Sequence, residues 1–235
     1  MKSFNSIPRR KNIKRIQKIN RKTRDQLIFA LLIVGVWQII VEMKLYPEAL
    51  FPSAMTVIER LGNMLLNEKL LSKVAYSLGT VFVALALSLT LALFMVGISK
   101  KYEFCRNGIS FLNGIASPLP GIAVLPIVIL WMGISSRALM VIMLHAMVWP
   151  LVTTMMLSVD RISNQYSRMM KVFRISPKNR IVHIYLRGMI PDLLSGLEIA
   201  WSRGWRALIS IEMIFGIVGS NSGLGWLIYE RRMYM

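Results

Sequence analysis

Val74–Ser99 reads VAYSLGTVFVALALSLTLALFMVGIS, 26 consecutive residues without a charge. Coiled as an α-helix at 1.5 Å per residue, this run spans ~39 Å, more than the ~30 Å hydrocarbon core of a bilayer. A water-soluble helix needs a polar stripe, and this one has none along its length. The run therefore predicts a membrane-spanning helix, and its neighbours extend the prediction. Gln26–Val41 is uncharged for 16 residues, Asn107–Ser136 for 30 and Ala138–Val159 for 22. A further stretch, Gly188–Val218, is apolar apart from Asp192, Glu198, Arg203, Arg206 and Glu212. Together they predict an all-α polytopic transmembrane bundle with five spans, near 26–43, 74–99, 109–134, 138–159 and 190–218.

Composition agrees. Hydrophobic residues make up 55% of the 235 residues, charged residues only 17%, and mean hydropathy is +0.54. The chain carries 29 Lys and Arg against 11 Asp and Glu, a net charge of +18. In a soluble protein that excess would point to nucleic acid. Here it is confined to a tail and two connecting segments, so membrane topology accounts for it and no nucleic-acid partner is expected. Residues 1–26, 100–106 and 160–187 hold 20 of the 29 basic residues, and 44–73 with 133–137 hold only five. The positive-inside rule puts the first set in the cytosol. The expected protein is a multi-pass protein of the cell membrane with a cytosolic N-terminus, and five spans leave the C-terminus outside. The basic start followed by an apolar run resembles a signal peptide, but no small-x-small cleavage site follows, so an uncleaved first span is expected.

Residues 1–26 are too charged to build a core and read as a basic cytosolic tail. Residues 27–235 form the transmembrane domain, in which 55–71 has the pattern of a short amphipathic helix and the Gly-rich end, up to Tyr234-Met235, reads as a tail. Pro118, Pro120 and Pro126 interrupt the third span and predict a broken helix packed against partners, since each proline frees backbone groups. Residues 160–187 read as a basic cytosolic loop, within which Ser176-Pro177 has the form of an N-cap and first helical residue. Ile181, Val182, Ile184 and Tyr185 would then share one apolar face. That segment could dock a cytosolic partner, or could simply carry positive-inside charge toward anionic lipid.

Charges inside a span cost several kcal/mol unless paired or hydrated. Glu198 and Arg203 are five apart, and Arg206 and Glu212 six, so neither pair meets on one ideal helix. The four residues mark either a polar translocation path or pairing across helices or subunits. Other chemistry is thin. There is no P-loop, no metal-ligand cluster, no nucleophile with a positioned base, and one cysteine, Cys105. His145 and His183 are isolated and read as packed helix residues. No cofactor, metal or catalytic residue is expected, and any uphill transport must draw its energy from an ion gradient or from another chain, which would then carry the ATP hydrolysis.

Four longer motifs carry a resemblance. SPLPGIAVLPIVILWMG (117–133), LFPS (50–53), WSRGWRALISIEM (201–213) and SGLGWLI (222–228) together resemble ABC-transporter permeases, specifically the branch importing nitrate, sulfonates and taurine. The resemblance implies a permease subunit working as a homodimer or heterodimer with two cytosolic ATPase subunits and an extracytoplasmic substrate-binding protein. It places the ATPase-coupling loop at Arg168–Pro191, including Met170, Arg174, Ser176, Pro177, Ile181, Ile184 and Tyr185. This sequence departs from the pattern there: Arg168 stands for an acid, Met170 lies near the usual alanines, and Arg187 replaces a proline, while Pro191 fits. Arg174 stands for a glycine, and arginine at φ > 0 costs ~1 kcal/mol or more. The resembled family also continues past Arg231-Arg232-Met233 into a sixth span, so a fragment, a truncated gene or a short variant is expected. Two rivals stay open: a degenerate permease serving as structural partner of a complete paralogue, and a secondary transporter or channel.

Overall fold

A proline pair decides how the third span is built. Helix α3 (Leu70–Lys101) and helix α4 (Glu103–Ala116) are followed by a break at 117–120, a 3-10 turn (Gly121–Val124) and helix α5 (Leu125–Met132). Neither Pro118 nor Pro120 has an N–H to continue the helical ladder, and the chain bends by 95° between α4 and the turn leading into α5. Pro126 acts differently. It lies in the first turn of α5, where no intrahelical donor is required. Gly133 ends α5 at φ +63, and Ser135 starts the next helix by accepting from Ala138 N–H at 3.2 Å.

The computed structural model describes residues 9–67, 70–216 and 222–233, with side chains from residue 21 onward except those of 67 and 233. Among these residues the structure is helical and contains no strand. The chain divides into two compact units, 1–69 and 70–235. The first holds helix α1 (Arg9–Glu42) and helix α2 (Ala54–Asn67), the latter where the amphipathic helix was expected. Trp37 Nε1 donates to the carbonyl of Pro52 at 3.1 Å, and Phe51 lies against both Trp37 and Tyr46. The basic tail is not a separate element: from Arg9 it is helical and continuous with the first span, while residues 1–8 lie outside the described residues.

The second unit is built around helix α6 (Ser136–Val172), 37 residues long. Its inner face, including Ile142, Met143, Met147, Leu151 and Met155, is fully buried. Helix α3 lays small residues on the bundle through Ser77, Ala84, Ser88 and Ala92, at the period of a helix, and turns Phe82, Leu87, Leu91 and Phe94 outward. Helix α8 (Leu186–Phe215) packs closest of all on α6. Gly188, Gly196 and Gly204 recur every eight residues, and a Cβ at each would run into Ile162, Thr154 and Met147 in turn. As residue numbers rise on α8 they fall on α6, so the two helices are antiparallel.

Among the described residues three helices are long and apolar enough to cross a membrane: 21–42 of α1, α3 and α6. The bent α4–α5 pair makes a fourth. Helix α8 has the length for a fifth, although its charged residues dilute its hydropathy. The predicted end of that span at 217–218 lies outside the described residues.

Two expectations are corrected here. Residues 160–187 are not a loop: α6 runs on to Val172, a short turn of helix follows (α7, Pro177–Asn179), then a π-helical stretch (Arg180–Tyr185) leads into α8. Ile162, Tyr166 and Met170 explain the extension, since they repeat every four residues and Ile162 and Met170 are buried. The Gly-rich end is likewise a helix, α9 (Leu224–Met233), with Tyr234 and Met235 outside the described residues. Its start is held from outside. Leu224 N–H donates to Ser77 Oγ at 2.9 Å, Gly225 N–H donates to Glu212 Oε2 at 2.8 Å, and the Ser77 hydroxyl donates to the same carboxylate at 3.1 Å. A carboxylate at a helix N-terminus satisfies orphan N–H groups and opposes the helix dipole. Gly223 and Gly225 make room for it, because a Cβ on either would overlap the Glu212 side chain.

Candidate functional site

The break in the third span opens a cavity of about 370 Å³ lined by Ser117 to Ile122, by Ala146 of α6 and by Arg203, Arg206, Ala207 and Ser210 of α8. The prolines create it and a small residue keeps it tight on one side: a Cβ at Gly121 would sit 3.1 Å from the methyl of Ala146. Ending α4 at this depth leaves the Ser117 carbonyl without its helical partner. Arg203 takes that role, donating from Nη1 to Ser117 O at 3.0 Å across the cavity wall. A freed backbone acceptor in a span thus meets a charged donor that itself needs a partner.

Arg206 is arranged differently. It is exposed and lies three residues, hence about 60°, around α8 from Arg203. Its Nε donates to the carbonyl of Ser202, one turn back, at 3.2 Å. Its terminal nitrogens reach no other described residue, so they are left facing the cavity and its surroundings. Neither arginine forms an ion pair among the described residues. Glu198 is exposed on the same helix without an ion pair, and Glu212 is 3% exposed and committed to Ser77 and Gly225. The structure therefore brings Pro118, Pro120, Arg203 and Arg206 together and keeps Pro126, Glu198 and Glu212 out of the cavity lining.

A second candidate region is the tip formed by 168–187. The end of α6 is a Schellman motif. Ile175 N–H bonds Met170 O at 3.2 Å, Arg174 N–H bonds Lys171 O at 3.1 Å, and Arg174 sits between them at φ +47. Glycine is the residue that adopts this conformation freely, so the arginine is strained there as the sequence implies. Ser176 caps the next turn, accepting from Asn179 N–H, with Pro177 in first position. Arg180 folds back to donate from Nε to Ile175 O at 2.7 Å.

The expected single apolar face is split. Ile184 and Tyr185 pack inward on the bundle, while Ile181 and Val182 are exposed. Tyr185 turns in because it has partners there: its ring lies 5.1 Å from Lys100 Nζ, and Lys100 in turn donates to Ser163 Oγ at 3.0 Å. Arg168, Arg187 and Pro191 are exposed, and Met170 is buried under the turn.

Between these regions lie contacts the sequence reading did not anticipate. Arg106 pairs with Asp160 and Arg161 with Asp192, each at 2.6 Å, tying α4 and α8 to adjacent residues of α6. The Asn113 amide bonds the Thr153 hydroxyl at 2.9 Å, just past Pro150, the proline inside α6. Of the unforeseen features, only the eight-residue glycine spacing on α8 was open to inspection in the sequence.

A nitrate import permease protein of Synechococcus elongatus is 23% identical over 159 residues, covering 67% of this chain and 55% of that protein. A Bacillus subtilis protein named for aliphatic sulfonates transport as a permease is 20% identical over 212 residues, 88% of this chain and 74% of its own length. The taurine transport system permease protein of Escherichia coli is 23% identical over 202 residues, 83% of this chain and 72% of that protein. Residues 88–235, which contain the cavity, the tip and the α6–α8 core, match the model of the binding-protein-dependent transport system inner membrane component. The chain belongs to that family.

Proposed function

We propose that the chain is the membrane-spanning permease subunit of an ATP-driven importer, and that its solute is a small anion such as nitrate, a sulfonate or taurine. The observation that carries the solute class is the pair Arg203 and Arg206 at a cavity opened by a broken span. Guanidinium groups are weakly hydrated, always charged and shaped for planar oxyanions. A cation at this depth that lacks a carboxylate partner favours a transient anion in its place. The names of the relatives support the same class.

In this reading α8 and the broken span form the wall of the path. Residues 168–187 face the cytosol and dock on ATPase subunits, an extracytoplasmic protein delivers the solute, and a second permease subunit completes the path. ATP-driven closure of the ATPases would act on the tip and rock α6 and α8 against the rest. A second reading, a structural partner of a complete permease, draws on the strained Arg174 within the coupling segment.

The test is uptake of labelled nitrate and taurine into proteoliposomes holding the full complex. Arg206→Gln is expected to leave assembly intact and cut uptake at least tenfold. Normal assembly with normal uptake in both Arg203→Gln and Arg206→Gln would reject the anion path. Uptake that needs a second, different permease chain would favour the partner reading.

A further inference from the structure

Residues 161–191 contain seven Lys or Arg and no acid. Arg161 is paired with Asp192. Arg168, Lys171, Arg174, Lys178 and Arg187 are all exposed and form no ion pair among the described residues. The same segment leaves apolar side chains uncovered: Val172 is 72% exposed, Phe173 73%, and Ile181 and Val182 are exposed as well. Even the one backbone position that favours glycine carries a cation, Arg174 at φ +47.

Anionic lipid is the ordinary partner of such a cluster, and the length of α6 argues against it here. The uncharged run of α6 ends at Val159, and the Arg106–Asp160 and Arg161–Asp192 pairs mark the level where charge begins. From Asp160 the helix continues to Val172. Lys171 therefore stands ~17 Å beyond that level, and a tilt of ~20° shortens this by only ~1 Å. The headgroup layer of one leaflet is only ~5–8 Å deep. The tip lies about a further 8 Å out, a full Debye length at physiological salt, where lipid charge is largely screened. An exposed phenylalanine at that height has only water or protein to meet.

Resting on the reading of this segment as the ATPase-docking tip, we infer that the ATPase cleft receiving residues 168–187 is lined with carboxylates around an apolar floor. Lys171, Arg174 and Lys178 meet the acids, and Val172, Phe173 and Ile181 meet the floor. Recognition by charge also gives this permease a way to choose its ATPase, since a basic cleft would repel the tip.

The experiment uses the full chain in nanodiscs with the ATPase subunit that co-purifies with it, identified by mass and by ATP hydrolysis. A water-soluble carbodiimide joins a lysine amine to a carboxyl only where the two touch. The expected product is an amide between Lys171 or Lys178 and an Asp or Glu of the ATPase, absent in the Lys171→Arg/Lys178→Arg variant although that variant still binds. The Lys171→Gln/Arg174→Gln/Lys178→Gln variant is expected to bind the ATPase at least tenfold more weakly, and binding by the parent is expected to fall between 50 and 300 mM salt. These side chains are exposed, so gel filtration of each variant should match the parent.

ATPase binding with no amide product, no salt dependence and less than a twofold effect of the triple variant overturns the acidic cleft but leaves the ATPase reading standing. No ATPase bound at any salt overturns the underlying reading as well. Quenching of a fluorophore at position 173 by brominated anionic lipid, with the ATPase present, would assign the tip to lipid and overturn the inference.

Discussion

Replacing Glu212 by alanine removes both oxygens that organise the start of α9. Gly225 N–H loses its acceptor at 2.8 Å, and the Ser77 hydroxyl, itself fully buried, loses the group it donates to. A buried donor left unmade costs about 1–3 kcal/mol, and loss of the charge at a helix N-terminus adds roughly 0.3–1 kcal/mol. With two donors left unmade, the expected destabilisation is roughly 4–5 kcal/mol. Glutamine keeps one carbonyl oxygen and the shape, so Glu212→Gln is expected to cost about half as much, ~2 kcal/mol. Gly225→Ala supplies an independent check from the other side. Its Cβ would lie 2.5 Å from the carbonyl oxygen of Ile209, a backbone atom that cannot swing away, and 2.6 Å from Glu212 Cβ. Overpacking of this kind costs about 1–3 kcal/mol. Unfolding titrations in mixed micelles, followed by tryptophan fluorescence, measure all three, and Trp226 on α9 reports the region directly. If both Glu212 variants stay within about 0.5 kcal/mol of the parent, the carboxylate is not what holds the helix.

Three further outcomes are expected. Arg174→Gly should stabilise the chain by ~1 kcal/mol, because glycine accepts φ +47 without strain; a lower thermal midpoint would refute it. Gly196→Ala should cost about 1–3 kcal/mol by driving a methyl onto Thr154 Oγ1, and Thr154→Ala in the same chain should recover most of that loss; additive costs in the double variant would mean that the contact is not the cause. A cysteine at Lys178 should resist membrane-impermeant maleimide in intact cells and label after permeabilisation, and labelling from outside would reverse the orientation.

The spans were legible because a bilayer asks a simple question of a sequence: whether some twenty residues avoid charge. Val74–Ser99 answers it without reference to any neighbour, and Pro118 and Pro120 mark the break in the next span just as locally. The end of α6 was harder. Its charges suggested a loop, yet Ile162 and Met170 stay buried and Tyr166 packs on the core at helical spacing beyond the apolar run, and the polar remainder is what a helix in water requires. Helix α9 was illegible for another reason. Its first N–H groups are satisfied by Ser77 and Glu212, 147 and 13 residues away from the groups they bind, and local propensity cannot register such a cap. The same holds for the cavity. Arg203 and Ser117 are each readable as unusual, an arginine in a span and a residue before a helix break, but their bond spans 86 residues. The sequence could mark both ends of that contact without joining them.

Helix α6 carries a proline at position 150 and does not end until Val172. The arm between them measures ~33 Å, and proline is where a long helix flexes most readily. A change of about 10° at that flexure would carry the far end of α6 sideways by ~6 Å. Read in reverse, a push of that size on the tip is geared down to a small rotation at Pro150, one turn from Ala146 and the cavity wall. The long helix is a lever whose fulcrum sits beside the cavity.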